Sequence, residues 1–275
     1  MQDVAPKQVP PAGPLATPEP WNLVADADAA ELVPQFERFA HDALRLAALP
    51  AGSHIVDVAS GPGTLALIAA RSGASVSAID FSPTMMANLH QRAIESGVTV
   101  DARLGDGQAL PFKDNSYDAA FSMFGLMFFP DRARGLQELR RVLRPDACAV
   151  VSSWAPFDDA FALVMESIRS MLPNLPFAQG KAPLGDPGEF AGEMTAAGFR
   201  NVAIDSVGHD WTAPSLSEFW SMIQRTTAPI VLLRHKLGEQ AWEEIARGVF
   251  ERLRGSLGEG PVTLTFNAYL GRGLK

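Results

Sequence analysis

Two aspartates frame a glycine-containing turn in the first third of the chain. An apolar run that contains Asp57 leads into Gly61-Pro62-Gly63, and the next apolar run ends at Asp80. A turn without bulky side chains lets the backbone approach a ligand closely. An acid at the end of the following strand can accept hydrogen bonds from ribose hydroxyls. This spacing predicts a strand–turn–helix–strand unit that binds an adenosine-containing cofactor.

The same turn also fits the dinucleotide fingerprint G-x-G-x-x-G/A, ending at Ala66. A nicotinamide-dependent oxidoreductase is therefore an alternative interpretation of this turn. Two features argue against that alternative. Pro62 has no N–H to offer a pyrophosphate. Asp57 lies where a carboxylate would repel phosphate and favour an ammonium or a sulfonium.

Four further segments follow in order along the chain. They are an alternating run ending in residues 104–112, a fourth run at 117–124, a helical segment at 136–145 and a fifth strand at 148–154. With the glycine turn, they resemble the class I S-adenosylmethionine-dependent methyltransferases. The subgroup resembled includes quinone-biosynthesis C-methyltransferases and many small-molecule methyltransferases. The resemblance is strong over residues 50–155 and extends to the rest only through the order of elements.

The resemblance implies S-adenosylmethionine as the cofactor and assigns residues to each part of it. Asp57 and the turn would face the methionine part, Asp80 the ribose diol, and Asp106 the adenine amino group. The full set of implied cofactor residues is Asp57, Ala59, Ser60, Gly61, Gly63, Asp80, Phe81, Met85, Asp106, Gly107, Ser122 and Phe124. Ala59 departs from the family pattern, which usually has a glycine there.

The order of elements predicts an α/β fold. Strands alternate with helices in the first half, which indicates a parallel, doubly wound sheet with helices on both faces. Residues 262–270 alternate strictly between apolar and polar, which suits an antiparallel strand. We expect a Rossmann-like sheet of seven strands, mostly parallel, with the last strand antiparallel and a helical lid. The strands are predicted at 54–59, 75–80, 98–105, 117–123, 148–154, 201–207 and 262–270.

The predicted organisation is one domain with a leading arm. Residues 1–20 hold six prolines and are expected to form a flexible arm. Residues 21–275 are expected to form one methyltransferase domain. Segments about 156–186 and 213–256 are expected to form helical lids or insertions.

Ligands of open α/β sheets lie beyond the carboxyl ends of the strands, so residues there are the substrate-pocket candidates. They form an apolar, aromatic and methionine-rich set that suits a flat or partly apolar small molecule. The candidates are Trp21, Met127, Trp154 and Phe157. His209, expected just past the sixth strand, is the candidate base; a surface histidine is the alternative. Asp158 and Asp159 are interpreted as a helix N-cap, so no metal is predicted.

The amino-acid composition argues against some classes of binding partner and cellular location. The net charge is −8 and the pI about 5.1, which argues against nucleic-acid binding through phosphates. No run is long enough to span a bilayer. The single cysteine, Cys148, excludes an intrachain disulfide and suits the cytoplasm. We expect a cytoplasmic monomer or homodimer that methylates a small molecule of secondary metabolism or quinone-like biosynthesis. A non-catalytic cofactor-binding member stays open as a second alternative.

Overall fold

A seven-stranded sheet with the order β3-β2-β1-β4-β5-β7-β6 organises the computed structural model. The structure describes residues 13–157, 159–172 and 182–275. Neighbouring strands from β3 to β5 pair in parallel, and β7 runs antiparallel to both β5 and β6. The predicted fold class is therefore confirmed. The strands are β1 (His54–Val58), β2 (Ser75–Asp80), β3 (Asp101–Leu104), β4 (Tyr117–Ser122), β5 (Leu143–Trp154), β6 (Arg200–Ala213) and β7 (Val262–Leu274).

Helices cover both faces of the sheet. On one face α2, α3 and α4 enclose a core that includes Ile55, Phe121 and Val150. On the other face α5 and α7 enclose a core that includes Val56, Ala149 and Leu136. The described helices are α1 (Pro18–Ala27), α2 (Val33–Ala47), α3 (Thr64–Arg71), α4 (Pro83–Glu95), α5 (Arg132–Val142), α6 (Asp159–Met171), α7 (Pro187–Ala196), α8 (Leu216–Thr226), α9 (Ala228–Leu237) and α10 (Glu239–Leu257).

A third core joins the later helices to the end of the sheet. Helices α6, α8 and α10 pack around Phe219, Trp220 and Trp242, and Leu264 of β7 closes this cluster. These helices fall within the segments that the sequence analysis interprets as lids. Residues 158 and 173–181 of the first such segment lie outside the described residues.

The N-terminal region differs from the predicted arm. Residues 1–12 lie outside the described residues, but Pro14–Ala16 form a 3₁₀ turn and α1 already begins at Pro18. Proline is favoured at the first helical position, and Glu19 places a negative charge in the first turn. Trp21 then packs against the cluster formed by Val24, Ala25 and Met85. The prolines of this region thus start a helix that is buried against the domain.

Strand β6 extends six residues beyond its predicted end, from 207 to Ala213. Its register with β7 is unbroken from Ala203↔Arg272 to Ala213↔Val262. Pairing along a long antiparallel partner continues the ladder, and the alternating burial of residues 207–213 fits this longer strand. This extension changes the surroundings of His209, as described below.

A buried ion pair fixes the segment between β3 and β4, where no crossover helix forms. Glu138 of α5 is 3% exposed and accepts hydrogen bonds from Arg141 (2.7 Å) and from the Leu110 amide (2.9 Å). The Arg141 guanidinium holds the pKa of Glu138 below its usual range. Arg141 also donates to the carbonyls of Leu110 and Phe112. These bonds replace secondary structure in holding the loop that follows Asp106.

None of the helices in the described ranges combines the length and apolar character needed to cross a bilayer.

Candidate functional site

A cavity of about 890 Å³ lies beyond the carboxyl ends of the parallel strands. The turns after β1, β2, β3 and β4 form its floor. The segment from Leu15 to Ala40 forms one wall, and α6, α8 and β7 contribute to the far end. Ligand pockets occupy this position in open α/β sheets. The volume is at the upper end of the range for ligand pockets, which leaves room for two ligands side by side.

The glycine turn after β1 follows a left-handed path. Ala59, Gly61 and Gly63 have φ angles of 55°, 53° and 81°. Gly61 lines the cavity, whereas Gly63 does not. A Cβ on Gly63 would lie 2.6 Å from Cγ of Leu89, so this glycine permits the close contact between α3 and α4. Gly63 is therefore needed for helix packing, and it does not line the cavity.

Ala59 fits the glycine position of the family because Gly125 gives it space. A Cβ on Gly125 would overlap the Cβ of Ala59 and lie 3.2 Å from its carbonyl oxygen. Phe124, next to Gly125, also has a positive φ of 57°. Non-glycine residues in this region cost on the order of 1–3 kcal/mol each, and such strain is concentrated at functional sites. The turns after β1 and β4 are thus sterically matched at the cavity floor.

We predict that Gly125→Ala destabilises the protein and that Ala59→Gly restores it. The added methyl group clashes with Ala59, at a cost of about 1–3 kcal/mol. In the double variant the clash with the Ala59 methyl disappears, and the residue with positive φ becomes a glycine. Thermal unfolding of the two single variants and the double variant forms a mutant cycle that measures the coupling. Additive effects would contradict the steric match.

Asp57 lies at the floor of the cavity with an unsatisfied carboxylate oxygen. The residue is 1% exposed, and neither its Oδ1 nor Oγ of Ser60 has a hydrogen-bond partner among the described residues. Burial raises the pKa of Asp57 to about 7; the Ala66 amide opposes this rise and the charge of Asp80 adds to it. A buried polar atom without a partner is costly, so these two oxygens fit a polar or cationic ligand group.

Asp80 connects β2 to the glycine turn. Its Oδ2 accepts from the Gly61 amide (2.9 Å) and its Oδ1 from the Ser82 amide (2.8 Å). Each carboxylate oxygen keeps a further lone pair that can face the cavity. Burial raises the pKa of Asp80, whereas these amides lower it. Phe81 and Met85, which follow Asp80, line the same part of the cavity.

The third acid, Asp106, lies on an exposed part of the cavity rim. Its Oδ1 accepts from the backbone amide of Gln108 (2.8 Å), and the Gln108 side chain also donates to it. Gly107 beside it has no room for a side chain, since a Cβ would lie 2.7 Å from Cγ1 of Val58 and overlap Phe129. This glycine lets the chain pass close to the ends of β1 and β4.

Aromatic rings surround the other half of the cavity. Trp154 stacks on Phe124 with 4.0 Å between ring centroids, and Phe36 and Phe266 lie within 6.0 Å of the Trp154 ring. Met127 lines the cavity beneath them. Phe157 contacts Phe161 of α6 at 4.6 Å and is 46% exposed at the entrance. We refer to this part, formed by Phe36, Phe124, Met127, Trp154, Phe157 and Phe266, as the aromatic half.

Three predicted positions need correction. Trp21 lines the cavity but near Met85 rather than in the aromatic half, because its Nε1 donates to the Leu15 carbonyl (2.9 Å) and its ring lies against Phe128. Ser122 is completely buried and does not line the cavity; its Oγ accepts from the Leu126 amide (3.2 Å).

His209 is also placed away from the cavity wall. It lies inside the extended β6, where its Nε2 is 2.7 Å from Oδ2 of Asp42 and its ring contacts Phe39 at 4.6 Å. It is not among the described residues that line the cavity. The prediction placed the end of β6 too early, and a histidine that joins β6 to α2 replaces the candidate base.

One wall of the cavity was not predicted from the sequence. This wall is formed by the π-helical turn Asp28–Leu32 and by α2. Four residues spaced four apart line the cavity there, namely Asp28, Leu32, Phe36 and Ala40. This spacing is that of one helix face. The regular recurrence of the four residues was the available signal.

No group of three or more histidine, cysteine, aspartate or glutamate side chains that could hold a metal occurs among residues 13–157, 159–172 and 182–275.

Comparison with known proteins agrees with this geometry. A family model described as a methyltransferase domain matches residues 56–151. The chain is 36% identical over 124 residues to an uncharacterized protein of Mycobacterium tuberculosis, covering 45% of each chain. It is 38% identical over 121 residues to a demethylmenaquinone methyltransferase of Thermus thermophilus, covering 43% of this chain and 55% of the relative. The chain thus spans about half the length of the curated relatives it matches.

The fold is also similar to that of a solved structure, the YcgJ protein from Bacillus subtilis. The TM-score is 0.57 at 19% identity, and the alignment covers 86% of this chain and 98% of that chain. The sheet order, the glycine turn and the acids after β1 and β2 agree with the predicted resemblance to class I S-adenosylmethionine-dependent methyltransferases. Residues 56–151 carry the match to a methyltransferase domain. The predicted methyltransferase domain is supported by this match over residues 56–151.

Proposed function

We propose that the protein transfers a methyl group from S-adenosylmethionine to an apolar small molecule and releases S-adenosylhomocysteine. The observation that carries this proposal is the pair of unpartnered oxygens on Asp57 and Ser60, which lies in one cavity with Asp80 and the aromatic half. The pair suits the cationic methionine part of the cofactor, and Asp80 suits the ribose hydroxyls. Asp106 is then left for the adenine amino group.

The bound cofactor supplies an electrophilic methyl group on a sulfonium. The protein's contribution is to align the acceptor with it and to exclude water. In the proposal the rings of Phe124 and Trp154 orient a flat acceptor by contact with its face. The acidic floor holds the cofactor so that its methyl group is directed toward the aromatic half.

The charges on the cavity wall favour a neutral or cationic acceptor. Among the described lining residues four are carboxylates, namely Asp28, Asp57, Asp80 and Asp106, and the one cation is Arg132. Arg132 is already paired with Glu193 through bonds of 2.7 and 3.0 Å. An anionic acceptor would meet net repulsion in this enclosed space.

The aromatic half offers no titratable side chain among the residues described there. A protein base is needed only when the acceptor is a hydroxyl or a protonated group. We therefore propose an acceptor atom that is nucleophilic at neutral pH without help from a side chain. A cytoplasmic location and a monomeric or homodimeric state belong to the same proposal.

Calorimetric titration of the purified protein with S-adenosylhomocysteine and, separately, with NADH tests the cofactor assignment. We expect micromolar affinity for the first ligand and no binding of the second. Tight binding of NADH alone would support the oxidoreductase alternative. Formation of S-adenosylhomocysteine from S-adenosylmethionine in the presence of a neutral aromatic acceptor, followed by mass spectrometry, would exclude the non-catalytic alternative.

A further inference from the structure

The cavity continues past the aromatic half toward the third core. Six residues line this extension, and they come from the π-helical turn before α2, from α6, from α8 and from β7. They are Leu32, Phe161, Met165, Met222, Ile223 and Leu264. We refer to these six residues as the apolar pocket. Their side chains consist of hydrocarbon or thioether groups, and one of the six has an aromatic ring.

Helix and strand periodicity place the apolar pocket next to the aromatic half. The ring centroids of Phe36 and Phe266 lie 6.0 and 5.9 Å from that of Trp154. Leu32 is four residues before Phe36, and Leu264 is two residues before Phe266 on the same face of β7. Leu264 belongs to the third core, and Leu32 and Phe266 pack against it. The apolar pocket therefore adjoins the rings that surround Trp154.

The walls of the apolar pocket are shielded from water. Met222, Ile223 and Leu264 line the cavity, yet each is at most 5% exposed. Thr226, one turn after Met222 on α8, donates its hydroxyl to the Met222 carbonyl (2.9 Å), so this donor is already satisfied. An apolar cavity of this kind stays dry and accepts apolar ligand groups. The flexible thioethers of Met165 and Met222 can adapt to the shape of such a group.

We propose that the apolar pocket binds an aliphatic substituent of the methyl acceptor, while the ring of the acceptor lies in the aromatic half. The substituent gains affinity by burial of its methylene groups, and the mostly aliphatic walls offer little ring surface on which a second aromatic group could stack. Anchoring the substituent also fixes the position of the ring relative to the transferred methyl group. This inference rests on the proposed function, because the acceptor is the molecule methylated in the cavity.

The test compares neutral ligands that share one ring and differ in the length of the alkyl group. Aniline, 4-butylaniline and 4-hexylaniline are titrated calorimetrically into the protein saturated with S-adenosylhomocysteine. We expect the affinity of the wild type to rise about threefold for each methylene group, so that 4-hexylaniline binds about tenfold more tightly than 4-butylaniline. Met165→Trp fills part of the apolar pocket. It should abolish this tenfold difference and leave the affinity for aniline within twofold of the wild type.

Leu163→Trp is the matched control. Leu163 is half-buried on the same helix as Met165 and packs against the third core, but it does not line the cavity. This variant should retain the dependence on alkyl length. Met222→Ala, which enlarges the apolar pocket, should raise the affinity for 4-octylaniline relative to 4-hexylaniline at least threefold above the wild-type ratio.

Equal affinities of the wild type for the three anilines would overturn the inference. A dependence on alkyl length that survives in folded Met165→Trp would overturn it as well, because the alkyl group would then lie elsewhere. Circular dichroism establishes that each variant is folded. If Met165→Trp does not fold, an unchanged ligand preference in Met222→Ala overturns the inference instead. Failure of the wild type to bind S-adenosylhomocysteine is a separate measurement, and it would overturn the proposed function.

Discussion

Replacing Asp80 by alanine is expected to weaken S-adenosylhomocysteine binding at least 100-fold. A hydrogen bond to a charged group contributes about 1.5–3 kcal/mol, and in the proposed site the carboxylate binds the ribose hydroxyls. The variant also removes the acceptor of the Gly61 and Ser82 amides, which hold the glycine turn against the start of α4. Loss of affinity therefore has two sources, a missing ligand contact and a less ordered turn.

The same substitution is expected to lower the thermal midpoint by a few degrees. Unsatisfied buried donors cost about 1–3 kcal/mol, although water entering from the cavity offsets part of this cost. In a chain of this size a change of 1 kcal/mol in the free energy of unfolding shifts the thermal midpoint by roughly 2–4 °C. Asp106→Ala, at the exposed rim, is expected to weaken binding without a change in thermal midpoint.

Asp205→Ala, an exposed acid on β6, is the control for a change in net charge. It should alter neither affinity nor thermal midpoint. Full affinity of Asp80→Ala for S-adenosylhomocysteine would show that the ribose lies elsewhere, and the assignment of the cavity floor would then fall.

The sequence was most informative at positions where the local backbone geometry restricts which residue type can occur. Gly61 and Gly63 adopt positive φ angles, and Asp57 and Asp80 lie at the carboxyl ends of buried parallel strands. Local chain geometry controls these features, so spacing alone predicts them. The contact between Gly63 and Leu89 was not predictable in this way, because it depends on how α3 and α4 pack.

The four-residue spacing from Asp28 to Ala40 indicates a helix face, but it does not indicate that this face lines the cavity. Its position depends on side-chain contacts between α1 and α4, which are about 60 residues apart in sequence. The surroundings of His209 depend on Asp42, a residue 167 positions away. Tertiary contacts of this kind leave no periodic signal, so the substrate-facing side of the cavity was less predictable than its floor.

Replacing Asp57 by asparagine is expected to weaken cofactor binding strongly and, at the same time, to stabilise the ligand-free protein at alkaline pH. Asparagine keeps the shape of the side chain but lacks the charge that would attract the cationic methionine part. We expect affinity for S-adenosylhomocysteine to fall about 100-fold. Such an opposition between stability and binding is typical of a group that is held ready for a ligand.

The pH dependence follows from the raised pKa of Asp57. Because its pKa is about 7 in the folded protein, against 3.8 ordinarily, the folded state binds the proton more tightly than the unfolded state does. The contribution of Asp57 to stability is complete below pH 4 and is lost as the pH rises through 7. Each pKa unit corresponds to about 1.4 kcal/mol, so the free energy of unfolding is lower at pH 8 than below pH 4 by an amount on the order of 4 kcal/mol.

Asparagine avoids this loss but leaves its buried amide NH2 group without an acceptor, at a cost of about 1–3 kcal/mol. At pH 8 the free energy of unfolding of the asparagine variant is then about 2 kcal/mol higher than that of the wild type, which raises its thermal midpoint by roughly 5 °C. At pH 4 the wild-type carboxyl is neutral and the gain disappears, which a series of thermal unfolding curves from pH 4 to 8 measures directly. Asp28, whose pKa is also about 7, is present in both proteins and cancels in the comparison. A difference between the two proteins that does not vary with pH would mean that Asp57 is ionised throughout, and that its unpartnered oxygen is solvated in the absence of cofactor.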